Sequence, residues 1–316
     1  MKAYLGIDIG GTNIKAALVS PEGALVAFRS MSWSGRAAAD AVDVVSRLTQ
    51  DLTSANEGHE VIACGVGSAG LVDTAAGIVR LSPNLPEWRD VELRRMVAEA
   101  LGLPTRIEND ANAAAYGEFM AGAARGATNA VVLTLGTGIG GGLILDGKLY
   151  RGGGFAGEVG HTTIERDGDP CLCGNAGCLE RLASAEAVVR SVRRRIEEGR
   201  ESVLVTTGAA TALTAKEVGE AAAAGDVVAT DALGETGRAL GAGLANLVLI
   251  LDPDVIVIGG GVVAAGEPLL APARDEMARR CYCSGASLPR LLPAELGNTA
   301  GVVGAALLAR DEFPSA

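Results

Sequence analysis

The sequence is short of aromatic residues, histidine and basic charge. Phe, Trp and Tyr together make up 3% of its 316 residues, and only two histidines are present. Lysine and arginine total 27 against 38 aspartates and glutamates, which gives a net charge of −11. Because binding to a nucleic-acid backbone needs a basic surface, this balance argues against nucleic acid as the main partner.

Long apolar runs are also missing. The chain has no run of about 18 apolar residues, and its start, MKAYLGIDIGG, lacks the apolar core of a signal peptide. We therefore expect a cytoplasmic protein without a membrane partner. In that reducing compartment the six cysteines are not expected to form disulfides. The one dense basic run, Arg190 with Arg193–Arg195, is interpreted as a solvated helix face.

Glycine is the residue present in excess, with 44 copies, about twice its usual share. The remaining composition, 48% hydrophobic and 21% charged, is typical of a globular protein. A chain of 316 residues exceeds the size at which a single core keeps growing, so two lobes are expected. Predicted strands alternate with predicted helices, which indicates an α/β protein. Two of the predicted helices are Val91–Leu101 and Val227–Leu251.

Two similar glycine-rich segments stand far apart in the chain. YLGIDIGGTNIKAALVS begins at Tyr4 and VVLTLGTGIGGGLILDG begins at Val131, and each predicts two strands joined by a glycine turn. The likeness suggests an internal duplication that opens each lobe. Glycine lets backbone N–H groups face an anion, and threonine adds a hydroxyl donor, so both turns are candidate phosphate loops.

The residues of these loops are Gly10, Gly11 and Thr12 in the first and Thr137 and Gly138 in the second. Neither turn matches the P-loop pattern, because no Gly-Lys-Ser/Thr follows. Asp8, at the end of the first predicted strand, could hold Mg²⁺ through water molecules beside bound phosphates.

Three cysteines, Cys171, Cys173 and Cys178, lie within eight residues of one another. Structural zinc takes four tetrahedral ligands, and His161, a short distance upstream, supplies the fourth. Gly174 and the glycine before Cys178 allow the chain to fold back on itself. Reduced structural thiols are the alternative. With four protein ligands the zinc would be closed to water and therefore structural.

Asn109 and Asp110 join a predicted strand to a predicted helix. At that position the helix dipole favours a carboxylate, and an Asn or Asp often serves only as a helix cap. The dipeptide by itself therefore leaves open whether it is catalytic. Its place between the two candidate phosphate loops favours a role in catalysis.

The segments LGIDIGGTNIKAALV and LTLGTGIGGG, together with the cysteine motif, resemble the bacterial ROK family (repressors, open reading frames, kinases). The resemblance runs along almost the whole chain and is strongest to its zinc-containing sugar kinases. It implies an actin-like ATPase (ribonuclease H-like) fold with two lobes around a cleft. The expected small lobe is 1–115, completed by a C-terminal helix at 301–316, and the large lobe is 116–300.

The resemblance also implies a role for each candidate residue. Asp110 would be the general base that accepts a proton from a sugar hydroxyl, and Gly259, Gly260 and Gly261 would lie against the adenosine of ATP. The zinc would order the loop that carries the last of the sugar ligands. The implied sugar-binding residues are Gly67, Asn84, Asn109, Asp110, Glu158, His161 and Glu180.

The expected activity is ATP-dependent phosphorylation of a hexose, with glucose as the favoured acceptor because PNLPEW is more similar to glucokinases than to kinases of N-acetylated sugars. N-acetylglucosamine or N-acetylmannosamine kinase is the runner-up, and polyphosphate remains open as donor. A sugar-responsive regulator needs an N-terminal helix-turn-helix, whereas here the first phosphate strand starts at Tyr4. The intact Asp110 disfavours a sugar sensor without catalysis. The resemblance implies a homodimer or homotetramer.

Overall fold

The computed structural model describes residues 1–34, 37–82, 85–206, 213–282 and 288–315. Strands and helices alternate over much of this part of the chain. The strands are β1 (Lys2–Ile9), β2 (Asn13–Val19), β3 (Leu25–Ser32), β4 (Glu60–Ser68), β5 (Leu71–Asp73), β6 (Ile78–Leu81), β7 (Arg89–Val91), β8 (Thr105–Asn109), β9 (Ala130–Leu135), β10 (Ile139–Leu145), β11 (Lys148–Tyr150), β12 (Val255–Gly259) and β13 (Arg290–Pro293).

The helices are α1 (Ala38–Ser54), α2 (Leu93–Leu101), α3 (Asp110–Ala121), α4 (Leu179–Ala183), α5 (Ala185–Glu197), α6 (Val203–Thr206), α7 (Ala215–Ala223), α8 (Val227–Leu251), α9 (Glu267–Arg280) and α10 (Ala300–Glu312). Within the described ranges no helix is both long enough and apolar enough to cross a membrane.

Two five-stranded sheets have corresponding strand orders, β3-β2-β1-β4-β8 and β11-β10-β9-β12-β13. In the first, β1 pairs antiparallel with β2 and parallel with β4, which pairs parallel with β8. In the second, β12 pairs parallel with both β9 and β13. The orders match strand for strand, as an internal duplication predicts. A smaller sheet, β5-β6-β7, is confined to residues 71–91.

The described chain forms two compact units. Unit 1 comprises residues 1–127, 142–157 and 295–316, and unit 2 comprises residues 128–141 and 158–294. Segment 142–157, which the predicted boundary places in the large lobe, belongs to unit 1. The predicted lobes, 1–115 with 301–316 and 116–300, stay a prediction.

The first sheet of unit 1 has apolar clusters on both faces. One cluster joins alternate residues of β1 to α1 and α2, and the other joins the opposite face of β1 to α10. Small residues allow α10 to approach the sheet closely: a Cβ atom added at Gly65 of β4 would lie 1.8 Å from the carbonyl oxygen of Ala305. Backbone-to-backbone contact of this kind leaves no room for a side chain.

We therefore expect Gly65→Ala to destabilise unit 1. Because the clash is with backbone, relief requires α10 to shift, and overpacking of this kind costs about 3 kcal/mol in the free energy of unfolding. Chemical denaturation of the variant measures the loss. Gly58→Ala is the matched control, since a Cβ atom there meets nothing within 4 Å. Equal stability of the two variants would contradict the close packing of α10.

Candidate active site and metal centre

In unit 1 the candidate residues gather at the carboxyl ends of three neighbouring parallel strands. Asp8 of β1 is the register partner of Gly67 in β4, and Gly67 is the partner of Glu108 in β8. A Cβ atom added at Gly67 would lie 3.5 Å from the Cα atom of Asp110. The register therefore brings the first phosphate strand, the predicted sugar-lining glycine and the Asn109–Asp110 turn to one edge of the sheet.

The first candidate phosphate loop connects β1 to β2. The N–H of Gly10 donates to the carbonyl oxygen of Asn13 across the turn, at 3.0 Å. Gly11 and Thr12 are exposed at its tip. A backbone hydrogen bond thus closes the turn, while its tip stays exposed.

Lys15 is a partner of Asp8 that the sequence reasoning missed. Its Nζ lies 3.1 Å from Oδ2 of Asp8, and the Asp8 side chain is 16% exposed. The two residues are cross-strand partners in the β1–β2 hairpin. Opposed residues of an antiparallel pair share a face, so the hairpin register was a signal that could have found Lys15.

The Asn109–Asp110 turn lies where the sequence predicted it, with β8 ending at Asn109 and α3 beginning at Asp110. Asn109 caps the helix: its Oδ1 accepts the N–H of Asn112 at 3.0 Å, and its Nδ2 donates to the carbonyl oxygen of Gly70 at 3.1 Å. Oδ1 of Asp110 accepts the N–H of Ala111 at 2.9 Å. Asn109 is therefore the helix cap of this dipeptide. Its side-chain amide has a second N–H and a second oxygen lone pair beyond these two hydrogen bonds.

The second candidate phosphate loop, in unit 2, contacts Glu180. Oε2 of Glu180 accepts the N–H of Ile139 at 2.9 Å, directly after Thr137 and Gly138. A Cβ atom added at Gly138 would lie 2.3 Å from the same oxygen. The family resemblance predicts Glu180 as a sugar ligand; in the structure its carboxylate binds the backbone of this loop.

The glycines predicted for the nucleotide lie beside the same loop. Gly259 ends β12, and Gly260 has a φ of 91° that favours glycine. A Cβ atom added at Gly260 would lie 2.2 Å from the carbonyl oxygen of Leu135, the last residue of β9, whereas one at Gly261 meets nothing within 4 Å. The turn thus packs on one side and stays open at Gly261.

The four predicted metal ligands come together in unit 2. The ligand atoms of His161, Cys171, Cys173 and Cys178 all lie within 4.8 Å of one another. Sγ of Cys173 is 3.7 Å from Sγ of Cys178, and Sγ of Cys171 is 3.8 Å from Nδ1 of His161. Two thiolates at ~2.3 Å from a tetrahedral zinc would be about 3.8 Å apart, so the donor set fits zinc.

Two glycines with positive φ allow the cysteine loop, residues 171–178, to turn back on itself. Gly174 has φ of 93° and Gly177 has φ of 64°, and a Cβ atom at Gly177 would lie 1.6 Å from the carbonyl oxygen of Glu165. The predicted folding back at these glycines is confirmed. The N–H of Leu179 then donates to the carbonyl oxygen of Thr162 at 2.9 Å, so the loop is fastened directly before Glu180.

The thiols differ in their proton affinity. The backbone N–H of Asn175 lowers the pKa of Cys173, which is exposed, and burial raises the pKa of Cys178 to about 12. A metal ion binds the thiolate form, so binding at Cys178 must release a proton. Metal affinity is therefore expected to fall as the pH falls.

Two other predicted sugar ligands are His161, which is part of the metal centre, and Glu158, which lies shortly before it in the sequence. Glu158 is exposed and His161 ends a short 3₁₀ helix, Val159–His161, with its N–H donating to the carbonyl oxygen of Glu158 at 3.1 Å. Since Nδ1 of His161 lies 3.8 Å from Sγ of Cys171, the predicted contact with a sugar hydroxyl would have to be made by Nε2. Asn84 lies outside the described residues.

Residues 4–312 match the ROK family. The chain belongs to this family. A glucokinase of Streptomyces coelicolor is 39% identical over 321 residues, which cover 99% of each chain. The crystal structure of a ROK family glucokinase from Streptomyces griseus, in complex with glucose and AMPPNP, is 40% identical, has a TM-score of 0.86, and is matched over 98% of this chain and 99% of that chain.

Members of the ROK family that are repressors, and not glucokinases, also match. The xylose repressor of Bacillus subtilis is 32% identical over 314 residues, which cover 98% of this chain and 77% of the repressor. The ROK membership and the paired sheets together confirm the actin-like ATPase fold predicted from the sequence.

Proposed function

We propose that this chain transfers the γ-phosphoryl group of ATP to the 6-hydroxyl of glucose. The observation that carries the proposal is the end-to-end likeness to glucokinases at 39–40% identity, one of which holds glucose and AMPPNP. The arrangement of candidate residues within each unit supports the same chemistry.

Asp110 would act as the general base. It would accept the proton of the sugar hydroxyl while that oxygen bonds to the γ-phosphorus and the bond from phosphorus to the bridging oxygen of ADP breaks. The start of α3 suits this task, since the N-terminal end of a helix favours the ionised carboxylate. The cap at Asn109 fixes the first turn from which Asp110 projects.

The two glycine loops would hold the phosphates. Backbone N–H groups and the hydroxyls of Thr12 and Thr137 are the donors, and the glycines of 259–261 would accommodate the adenosine. Asp8, kept in place by Lys15, would bind Mg²⁺ through water, and the ion would neutralise charge on the phosphates. Catalysis then depends on position and electrostatics.

The sugar hydroxyls would be bound by a set of polar residues, since each hydroxyl both donates and accepts. We propose zinc as the metal of the His-Cys₃ centre, where it would fix the ring of His161 and the loop before Glu180. The full proposed sugar set is Gly67, Asn84, Asn109, Asp110, Glu158, His161 and Glu180. A homodimer or homotetramer in the cytoplasm stays a prediction.

The expected result of a substrate panel is that glucose is phosphorylated with the highest kcat/KM. ADP release is measured for hexoses and N-acetylhexosamines, and the panel is repeated with polyphosphate as donor. An N-acetylated sugar in first place would reassign the substrate, and turnover with polyphosphate alone would reassign the donor. Sugar binding without turnover would favour the regulator known among the relatives.

A further inference from the structure

A buried carboxylate stands directly before the Asn109–Asp110 turn. Glu108, in β8, is 2% exposed. An ionised group at such a position is stable only when it is paired and its oxygens accept hydrogen bonds. Its partners therefore indicate what the charge is there to hold.

One oxygen of Glu108 binds the turn itself. Oε1 accepts the N–H of Asn109 and the Nδ2–H of Asn112, each at 3.2 Å. These donors stand on either side of Asp110 in the sequence. A single carboxylate oxygen thus binds both the end of β8 and the first turn of α3, and Asp110 lies between these two points.

The other oxygen binds Arg151, which comes from a distant part of the sequence. Nε of Arg151 donates to Oε2 at 2.7 Å, and the Arg151 side chain is 32% exposed. Arg106 approaches the same oxygen less closely, at 3.5 Å, and is shared with Glu312. Arg151 is therefore the main counter-charge of Glu108, and it follows β11 in segment 142–157 of unit 1.

We infer that Glu108 and Arg151 form a positioning pair that holds Asp110 in line for proton transfer. The inference rests on the proposed role of Asp110 as general base. Loss of Arg151 leaves a buried charge without its closest partner, so Glu108 must move toward water or toward Arg106. Either movement releases Asn109 and Asn112, and displacement of a reacting group by about 1 Å can cost up to 100-fold in rate.

The test compares kcat of Arg151→Met, Glu108→Gln and the double variant with kcat of the wild-type protein, all as full-length chains. We expect Arg151→Met to lower kcat for glucose about 10- to 100-fold with KM for ATP unchanged. The losses of kcat in Arg151→Met and in Glu108→Gln should not add in the double variant, because the two residues act as one unit. Arg151→Lys should recover part of kcat. Arg80→Met is the matched control: Arg80 also pairs with a carboxylate, that of Asp73, at 2.7 Å, and this pair belongs to the small sheet β5-β6-β7.

Amide hydrogen exchange at residues 109–112 gives a readout that needs no turnover. Faster exchange in Arg151→Met but not in Arg80→Met supports the pair, even if no sugar proves to be a substrate and the proposed function fails. Wild-type exchange together with a kcat within two-fold of wild type would overturn the inference while leaving the kinase proposal intact. Fully additive losses in the double variant would overturn it as well.

Discussion

Asp110→Asn is expected to lower kcat for glucose by about 10²–10⁴-fold, the range that general base catalysis contributes. The amide has the shape of the carboxylate and can still accept the N–H of Ala111, so the first turn of α3 should stay intact. It cannot take up the proton of the attacking hydroxyl. KM for glucose should stay within a few-fold of wild type, because hydrogen bonding to the sugar is largely kept.

The measurement is steady-state ADP release at saturating ATP, with glucose binding measured separately. Asp51→Asn, on the exposed side of α1, controls for the loss of one negative charge. A kcat close to normal in Asp110→Asn would remove the general base from the proposal. A large rise in KM with normal kcat would make Asp110 a binding residue only.

Local signals in the sequence sufficed for the long elements. Helix α8 was predicted and found at Val227–Leu251, where Asp226 caps it by accepting the N–H of Ala229 at 2.8 Å. The two similar glycine turns predicted both hairpins and the internal duplication. The small sheet β5-β6-β7 was missed, and the helix predicted from Val91 begins at Leu93, because Val91 pairs with Val79 in that sheet. Strands of three or four residues are too short for a periodic pattern.

In the candidate site, too, some features could be predicted from local sequence and others could not. Residue types and spacing predicted the four metal ligands, since thiols so close together have few other uses. The pairing of Lys15 with Asp8 needed only the hairpin register. The contact of Glu180 with the second glycine loop and that of Arg151 with Glu108 depend on tertiary packing between segments far apart in sequence, which no local pattern encodes.

The purified protein is expected to contain about one zinc per chain, and Cys173→Ala is expected to lose it. Cys173 is exposed, so its truncation removes a ligand without opening a cavity in the core. Three remaining donors leave the centre open to water and weaken a site whose closed geometry is typical of structural zinc. Metal analysis after dialysis measures the loss, with Cys281→Ala as a control for removal of a thiol outside the cluster.

The consequence of zinc loss should be found in sugar binding more than in nucleotide binding. The N–H of Leu179, which follows the loop 171–178, donates to the carbonyl oxygen of Thr162 directly before Glu180, and His161 is itself one of the four candidate metal ligands. Without the metal the two proposed sugar ligands, His161 and Glu180, would lose their support, so KM for glucose should rise while KM for ATP changes little. Zinc should also be released as the pH falls, because protons compete for the thiolates. Metal-free protein with normal KM for glucose would separate the centre from the sugar site.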